Sequence, residues 1–113
     1  MSSLSDIVDW NISRNLNTYK PKTEMILIHR EYEEFLSSIL NRRDPVDDLC
    51  DLIVVATGAL HKLGYDPDKA MNETYKEISS RKGEINTETG KWEKDLTQDP
   101  STLYIANYEL CKK

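Results

Sequence analysis

The sequence contains no apolar run of about 18 residues, so it offers no segment that can cross a membrane as a helix. It begins without a basic stretch followed by an apolar one, and we therefore expect no secretory signal. It also lacks an excess of basic residues, because 15 Lys and Arg stand against 20 Asp and Glu, a net charge of −5. A broad nucleic-acid-binding surface needs such an excess, so we expect no nucleic acid and no membrane partner.

Cysteine is scarce as well. Cys50 and Cys111 form no CxxC pair, and together with only His29 and His61 they make no convincing zinc set. We therefore expect reduced thiols, which fit a cytoplasmic protein. With 113 residues, 38% hydrophobic and 31% charged, the chain is expected to form a single domain over residues 1–113.

Glycine and proline number only four each, which leaves room for long helices. The spacing of apolar residues predicts four helices, over about 4–16, 22–41, 45–63 and 67–80. Asp44-Pro45 and Asp66-Pro67 are typical helix starts, with an aspartate cap followed by proline in the first turn. A small hairpin is predicted over about 84–94 and a short helix over about 101–111. The fold is therefore expected to be all-α, a four-helix bundle over about 4–80 with a C-terminal extension over 84–113.

All four predicted helices carry an apolar face, and that of the first comprises Ile7, Val8, Ile12 and Leu16. The stripe of the second helix comprises Met25, Ile28, Tyr32, Phe35 and Ile39. That of the third comprises Val46, Leu49, Ile53, Ala56, Leu60 and Leu63. On the fourth, the residues expected to point inward are Ala70, Met71, Tyr75 and Ile78. The third helix is apolar nearly all round from Leu52 to Leu60, so we expect burial on several sides, either by self-association or by the predicted C-terminal helix.

Two pairs of acidic residues flank these stripes. Glu31 and Glu34 are three residues apart on the second helix and project from the same side, and Asp48 and Asp51 repeat this spacing on the third. A short connection makes antiparallel packing the expectation, which brings the two pairs to a similar height. Four carboxylates near a core repel one another and are costly to desolvate, and a divalent cation relieves both effects. Oxygen ligands at this density favour Mg²⁺ or Mn²⁺ over zinc.

Two other interpretations of the acidic pairs were weighed. A solvated acidic face is the first, because such pairs are common on the helices of so acidic a chain. A ferritin-like di-iron bundle is the second, and it is set aside because it needs Glu-x-x-His. Neither His29 nor His61 has a glutamate three residues earlier.

Positive charge gathers at the C-terminal end of the predicted fourth helix. Lys76, Arg81 and Lys82 lie there, with Asn72 one turn before Lys76. Cations at this end can simply complement the helix dipole. Beside a metal site, however, they would contact phosphate oxygens.

The pattern Glu31-x-x-Glu34, thirteen residues, then Asp48-x-x-Asp51 resembles the E-x-x-E…E-x-x-D signature of the all-α nucleoside triphosphate pyrophosphohydrolases. This superfamily includes MazG, phosphoribosyl-ATP pyrophosphohydrolase and dimeric dUTPases. The similarity spans about residues 16–94 and is closest to the short, single-domain forms often encoded by bacteriophages. Two positions depart from the pattern: Arg30 stands where the fuller motif has a glutamate, and Asp48 is one methylene shorter than the usual residue.

The resemblance implies a MazG-like bundle that hydrolyses (deoxy)nucleoside triphosphates to the monophosphate and pyrophosphate. The carboxylates implied as ligands of Mg²⁺, or of Mn²⁺, are Glu31, Glu34, Asp48 and Asp51. Catalysis would fall to Glu31 and Glu34, with Glu34 orienting or deprotonating the attacking water. Contacts to phosphate or sugar would come from Asn72, Lys76, Arg81 and Lys82, and contacts to the base from Trp10 and Asn15. Packing in the core or at an interface is the other interpretation of Trp10, and the residue type favours it.

The resemblance also implies a homodimer or homotetramer in the cytoplasm, that of the host if a phage encodes the chain. Two alternatives stay open. One is a non-catalytic nucleotide sensor or adaptor that shares the fold. The other is a helical interaction module without a ligand.

Overall fold

The structure is a computed structural model that describes residues 2–113. Four helices come first: α1 (Ser3–Ser13), α2 (Pro21–Leu40), α3 (Val46–Lys62) and α4 (Pro67–Ser80). An antiparallel hairpin follows, in which β1 (Gly83–Ile85) pairs with β2 (Trp92–Lys94). Two short 3₁₀ turns, Pro100–Thr102 and Tyr108–Cys111, complete the described chain. The predicted all-α fold of four helices is confirmed. Across residues 2–113, no helix combines the length and apolar character needed to span a membrane.

The helix ends follow local signals in the sequence. The Asp44 carboxylate accepts a hydrogen bond from the N–H of Val46 at the start of α3, at 3.0 Å. Asp66 caps α4 by accepting from the N–H groups of Asp68 and Lys69. Gly64 follows α3 with φ +94°, a left-handed conformation that ends the helix and that glycine adopts without a steric penalty.

The predicted C-terminal helix over 101–111 is wrong. This segment forms two 3₁₀ turns joined by extended chain. The N–H of Ala106 donates to the Glu77 carboxylate and the N–H of Asn107 donates to the Glu73 carboxylate, both at 2.9 Å. These two amides therefore bind side chains of α4. In a helix they would instead bind carbonyl groups four residues earlier in the chain.

Helix α3 is the centre of the packing. Helix α2 lies antiparallel against it, and a buried ion pair joins the Lys62 ammonium to the Glu24 carboxylate at 2.9 Å. Helix α1 packs on another side of α3. There Gly58 gives α1 room, because a Cβ at this position would lie 3.2 Å from the side-chain oxygen of Asn11.

The core of the single chain is small. Among residues 2–113, the buried apolar side chains are Val8, Ala70 and Cys111, and of these only Cys111 is fully buried. On α4, only Ala70 of the predicted inward residues is buried. The others are about half exposed or more, at 49% for Met71, 64% for Tyr75 and 49% for Ile78. Most of the α3 stripe is exposed in the single chain, so the C-terminal segment does not cover it, and burial by self-association stays a prediction.

Candidate metal centre

Helices α2 and α3 bring three acidic side chains together. One carboxylate oxygen from each of Glu31, Glu34 and Asp51 lies within 4.8 Å of the others, and we call this group the acidic triad. The spacing of three residues puts Glu31 and Glu34 on one side of α2, and the antiparallel packing places Asp51 opposite them. Glu31 and Asp51 are half-buried, whereas Glu34 is exposed. The triad is therefore a set of hard oxygen donors with one side open to solvent.

Glu31 is held in an unfavourable environment for a carboxylate. Its Oε2 atom is buried and has no hydrogen-bond partner among the described residues. Burial raises the pKa of Glu31, and the adjacent Glu34 carboxylate and the charge of Asp51 raise it further, while Arg30 opposes them. An ion of charge +2 at this position would give Oε2 a ligand and would neutralise the repulsion.

Asp51 is similarly perturbed. Burial raises its pKa first, followed by the negative charges of Asp47, Glu34 and Asp48. Asp48, the fourth predicted ligand, is half-buried one turn before Asp51, but its oxygens are not among those that meet within 4.8 Å. Sequence reasoning also overlooked Asp47, whose charge acts on Asp51; its position directly before Asp48 was the available signal.

Two of the residues predicted to contact phosphate already have acidic partners on α4. The Lys76 ammonium lies 3.0 Å from Glu73, and the Arg81 guanidinium lies 2.8 Å from Glu77. The spacings of three and four residues were the sequence signal for these pairs, which the sequence analysis did not use.

Asn72 and Lys82 complete the predicted phosphate set. Both are exposed, and the backbone N–H of Lys82 donates to the side chain of Gln98 at 2.7 Å. Helix α4 packs against α1, α3 and the last 3₁₀ turn, and within residues 2–113 it has no extensive contact with α2. A single chain therefore does not assemble the basic end of α4 around the acidic triad.

The two residues predicted to contact the base lie at the C-terminal half of α1. Trp10 is 47% exposed, and the Arg14 guanidinium stacks 4.3 Å from the centre of its ring. Asn15 is exposed in the turn that follows the helix, with φ +58°. Trp10 also borders a shallow cavity with Ile7 of its own helix and Val54 of α3.

Comparisons with protein-family models, with curated proteins and with solved structures found no match to this chain.

Proposed function

We propose that this chain hydrolyses nucleoside triphosphates to the monophosphate and pyrophosphate, with Mg²⁺ or Mn²⁺ held by the acidic triad. The observation that carries the proposal is the meeting of three carboxylates around the buried, unpartnered Oε2 atom of Glu31. These residues stand in the order of the E-x-x-E…E-x-x-D signature of the all-α pyrophosphohydrolases. Oxygen donors of this kind suit a hard divalent cation.

Each member of the triad has a distinct part in the proposed reaction. A bound Mg²⁺ supplies neutralisation of triphosphate charge and a water of lowered pKa. All three would hold the ion, with the half-buried Glu31 and Asp51 on its protein side. Glu34, the exposed member, orients the attacking water and accepts its proton. Asp48 lies one turn away and adds negative charge to the site.

The substrate contacts belong to the same proposal. Because a single chain does not bring the basic end of α4 to the acidic triad, these contacts require that α4 come from a second chain. There Lys76 and Arg81 would exchange Glu73 and Glu77 for phosphate oxygens, and Asn72 and Lys82 would add contacts to phosphate or sugar. Trp10 offers a half-exposed indole for stacking on a base, and Asn15 an exposed amide for hydrogen bonding. The nucleotide must therefore compete with Glu73 and Glu77 for the two basic side chains of α4.

A nucleotide sensor or adaptor without catalysis is the second candidate. It is favoured by the position of Asp48 outside the triad and by Arg30 in place of the family's glutamate. Both departures reduce the number of carboxylates that are available to hold the ion and to activate water. The two candidates differ in turnover but share metal binding.

The reaction is tested with a panel of canonical and modified NTPs and dNTPs, in Mg²⁺, in Mn²⁺ and in EDTA. Products are separated by chromatography into monophosphate, diphosphate, pyrophosphate and phosphate. We expect metal-dependent release of monophosphate with pyrophosphate. Diphosphate with phosphate would contradict the proposed scissile bond. Folded protein that turns over no nucleotide but is stabilised by Mg²⁺ would favour the sensor.

Substitutions in the triad test the assignment of residues. Glu34→Gln and Asp51→Asn should each lower turnover at least ~100-fold, because each removes a charge that acts only when the ion and the water are in place. The matched control is Glu33→Gln, since Glu33 lies next to Glu34 on α2 but pairs with the exposed His29. Turnover in the control should stay within about twofold of the parent. Undiminished turnover in both triad variants would refute the site.

A further inference from the structure

A cavity of about 380 Å³ lies between the end of α3, helix α4 and the last 3₁₀ turn. Leu60 and Leu63 of α3 line it, together with Met71 and Thr74 of α4 and Tyr108 of the turn. None of the described residues that line it is charged. We call this space the Tyr108 cavity. Its size and its mostly apolar lining are those of a small-molecule site.

The turn that carries Tyr108 is fixed to α4 on both sides of this residue. Before it, the N–H of Asn107 donates to the buried Glu73 carboxylate at 2.9 Å. After it, the carbonyl of the buried Cys111 accepts from the N–H of Asp66, the cap of α4, at 2.7 Å. The cavity is therefore formed by the free chain, and a ligand does not have to order its walls.

Two hydroxyl groups are the polar feature of the cavity, and their hydrogen bonds can be assigned. The Thr74 hydroxyl donates its one proton to the carbonyl of Ala70 at 2.9 Å. The Tyr108 hydroxyl lies 2.9 Å from the Thr74 oxygen, so it has to be the donor of that contact. Within residues 2–113 this leaves the lone pairs of the Tyr108 oxygen to accept from outside the chain. The cavity thus offers a hydrogen-bond acceptor to a ligand that carries an N–H or O–H group.

We propose that the Tyr108 cavity binds a small, uncharged aromatic molecule with one hydrogen-bond donor, of the size of indole. A cavity of about 150 Å³ is enough for benzene, so this one has room for two fused rings. Tyr65 adds a second aromatic side chain to the lining, and Met71 adds a thioether. Both kinds of side chain pack favourably against an aromatic ring.

The lining also decides the charge of the ligand. An ionic group in the cavity would lose its hydration and would meet no counter-ion among the residues that line it. A triphosphate is therefore excluded from this site. A neutral ring with one N–H or O–H group satisfies the free acceptor and leaves no charge unpaired.

The proposal goes beyond the proposed activity and is independent of it. Leu60 and Leu63 come nine and twelve residues after Asp51 on α3, which is about 14 to 18 Å along a helix axis. No member of the acidic triad lines the cavity. Binding can therefore be measured without metal or nucleotide, and its failure would leave the proposed hydrolysis untouched.

The first test uses indole and the unaltered chain with ¹³C-labelled methionine methyl groups. Met71 lines the cavity, whereas Met25 lies on α2 and does not. Titration followed by NMR should move the Met71 signal to saturation with a Kd below about 1 mM, and Met25 should stay in place. An unmoved Met71 signal up to about 5 mM indole, or equal shifts of both signals, would overturn the proposal.

The same spectra test a second occupant. A Met71 signal that changes with protein concentration in the absence of indole would show that another copy of the chain fills the cavity, and this would also overturn the proposal. An unchanged signal in this control is the result expected here.

The second test assigns the hydroxyl pair by comparing indole with indene, which has the same shape but no N–H group. The ratio of the two dissociation constants, indene over indole, should fall about 2–10-fold in a Thr74→Val, Tyr108→Phe double variant, because one hydrogen bond is lost. The double variant should still bind indene, which shows that its cavity is intact. Tyr75→Phe is the matched control, since Tyr75 follows Thr74 on α4 but lies outside the cavity. An unchanged ratio in the double variant, or an equal fall in the control, would overturn the assignment.

Discussion

Glu31 shows how one residue can be unfavourable in the free protein and useful to a bound ion. Burial and the neighbouring Glu34 and Asp51 carboxylates raise its pKa, so its charged form is disfavoured in the fold. A carboxylate whose pKa is raised on folding lowers stability as the pH rises through its ordinary value. At neutral pH this charge therefore lowers the stability of the fold, and the proposed cation in the triad would remove that cost.

This cost predicts opposite effects of Glu31→Gln with and without metal. In EDTA at pH 7 the variant should melt about 2–4 °C above the parent, because the amide has no charge to desolvate. In Mg²⁺ the parent should gain stability and the variant should not. Thermal unfolding followed by circular dichroism measures both, with Glu33→Gln as the control that retains the metal response. An equal Mg²⁺ response in Glu31→Gln would remove Glu31 from the metal centre.

Glu73 is the opposite case, a buried carboxylate that is well supplied with donors. Hydrogen bonds from the Tyr104 hydroxyl and the Asn107 N–H, together with Lys76, lower its pKa from 4.5 to about 2. A depressed carboxylate pKa contributes stability above the ordinary value, and this contribution is lost as the pH falls toward about 2.

We therefore expect the C-terminal segment to respond to acid through Glu73. In NMR spectra, the amide signal of Asn107 should titrate with a midpoint near 2, where Glu73 takes up a proton. Glu73→Gln should abolish this titration and should lower stability at pH 7, since a neutral amide cannot pair with Lys76. A midpoint near 4.5 in the parent would contradict the assigned hydrogen bonds.

At the scale of elements, signals between neighbouring residues predicted the four helices well. Contacts between residues far apart in the sequence were not predicted. Helices α2, α3 and α4 lie within one residue of their predicted bounds, because apolar periodicity and Asp-Pro starts are encoded in neighbouring residues. The predicted tail helix failed because its amides bind Glu73 and Glu77, which lie 29 to 34 residues away in the sequence. Composition and spacing within the tail hold no trace of those partners.

The candidate site divides in the same way. Glu31, Glu34 and Asp51 could be grouped from the sequence, since i,i+3 spacing and a short connection between antiparallel helices bring them to one height. The position of Asp48 outside the triad could not be predicted from the sequence, because its distance from the triad depends on the detailed register of the two helices. The ion pairs of Lys76 and Arg81 follow from their spacings of three and four residues to Glu73 and Glu77, a signal that was overlooked because the two cations were assigned to phosphate.

The buried pair of Glu24 and Lys62 sets the register of α2 on α3, and its loss should be costly. Lys62→Met leaves Glu24 buried without its partner and should destabilise the protein by ~3 kcal/mol. Glu24→Met combined with Lys62→Met should recover most of that loss, because neither charge then needs burial. Urea unfolding measures each variant. Lys112→Met, at the exposed pair with Glu109, is the control and should cost under about 1 kcal/mol.

The dimensions of the whole molecule agree with the small core of the single chain. The radius of gyration is 16.8 Å, against about 13 Å for a compact chain of this size. The single chain is thus less compact than an average domain of its length.

The resemblance implies a homodimer or homotetramer, and if the chains self-associate, their stability must depend on concentration. The melting temperature should rise by several degrees between about 1 and 100 μM, because mass action favours the folded dimer. Scanning calorimetry at three concentrations measures the shift. A constant melting temperature for the parent would show that each chain unfolds independently of any other.

The anchoring of residues 104–107 on α4 has a consequence for protein engineering. The segment that contains the hairpin joins the end of α4 to residues 104–107, and we call it the tether. Its only role in this contact is to return the chain to Glu73 and Glu77. The entropy of closing a loop grows only with the logarithm of its length, so doubling this tether costs about 0.6 kcal/mol. The exposed turn at Glu88, Thr89 and Gly90 is therefore a site where a peptide or a label can be inserted while the anchor and the four helices stay in place.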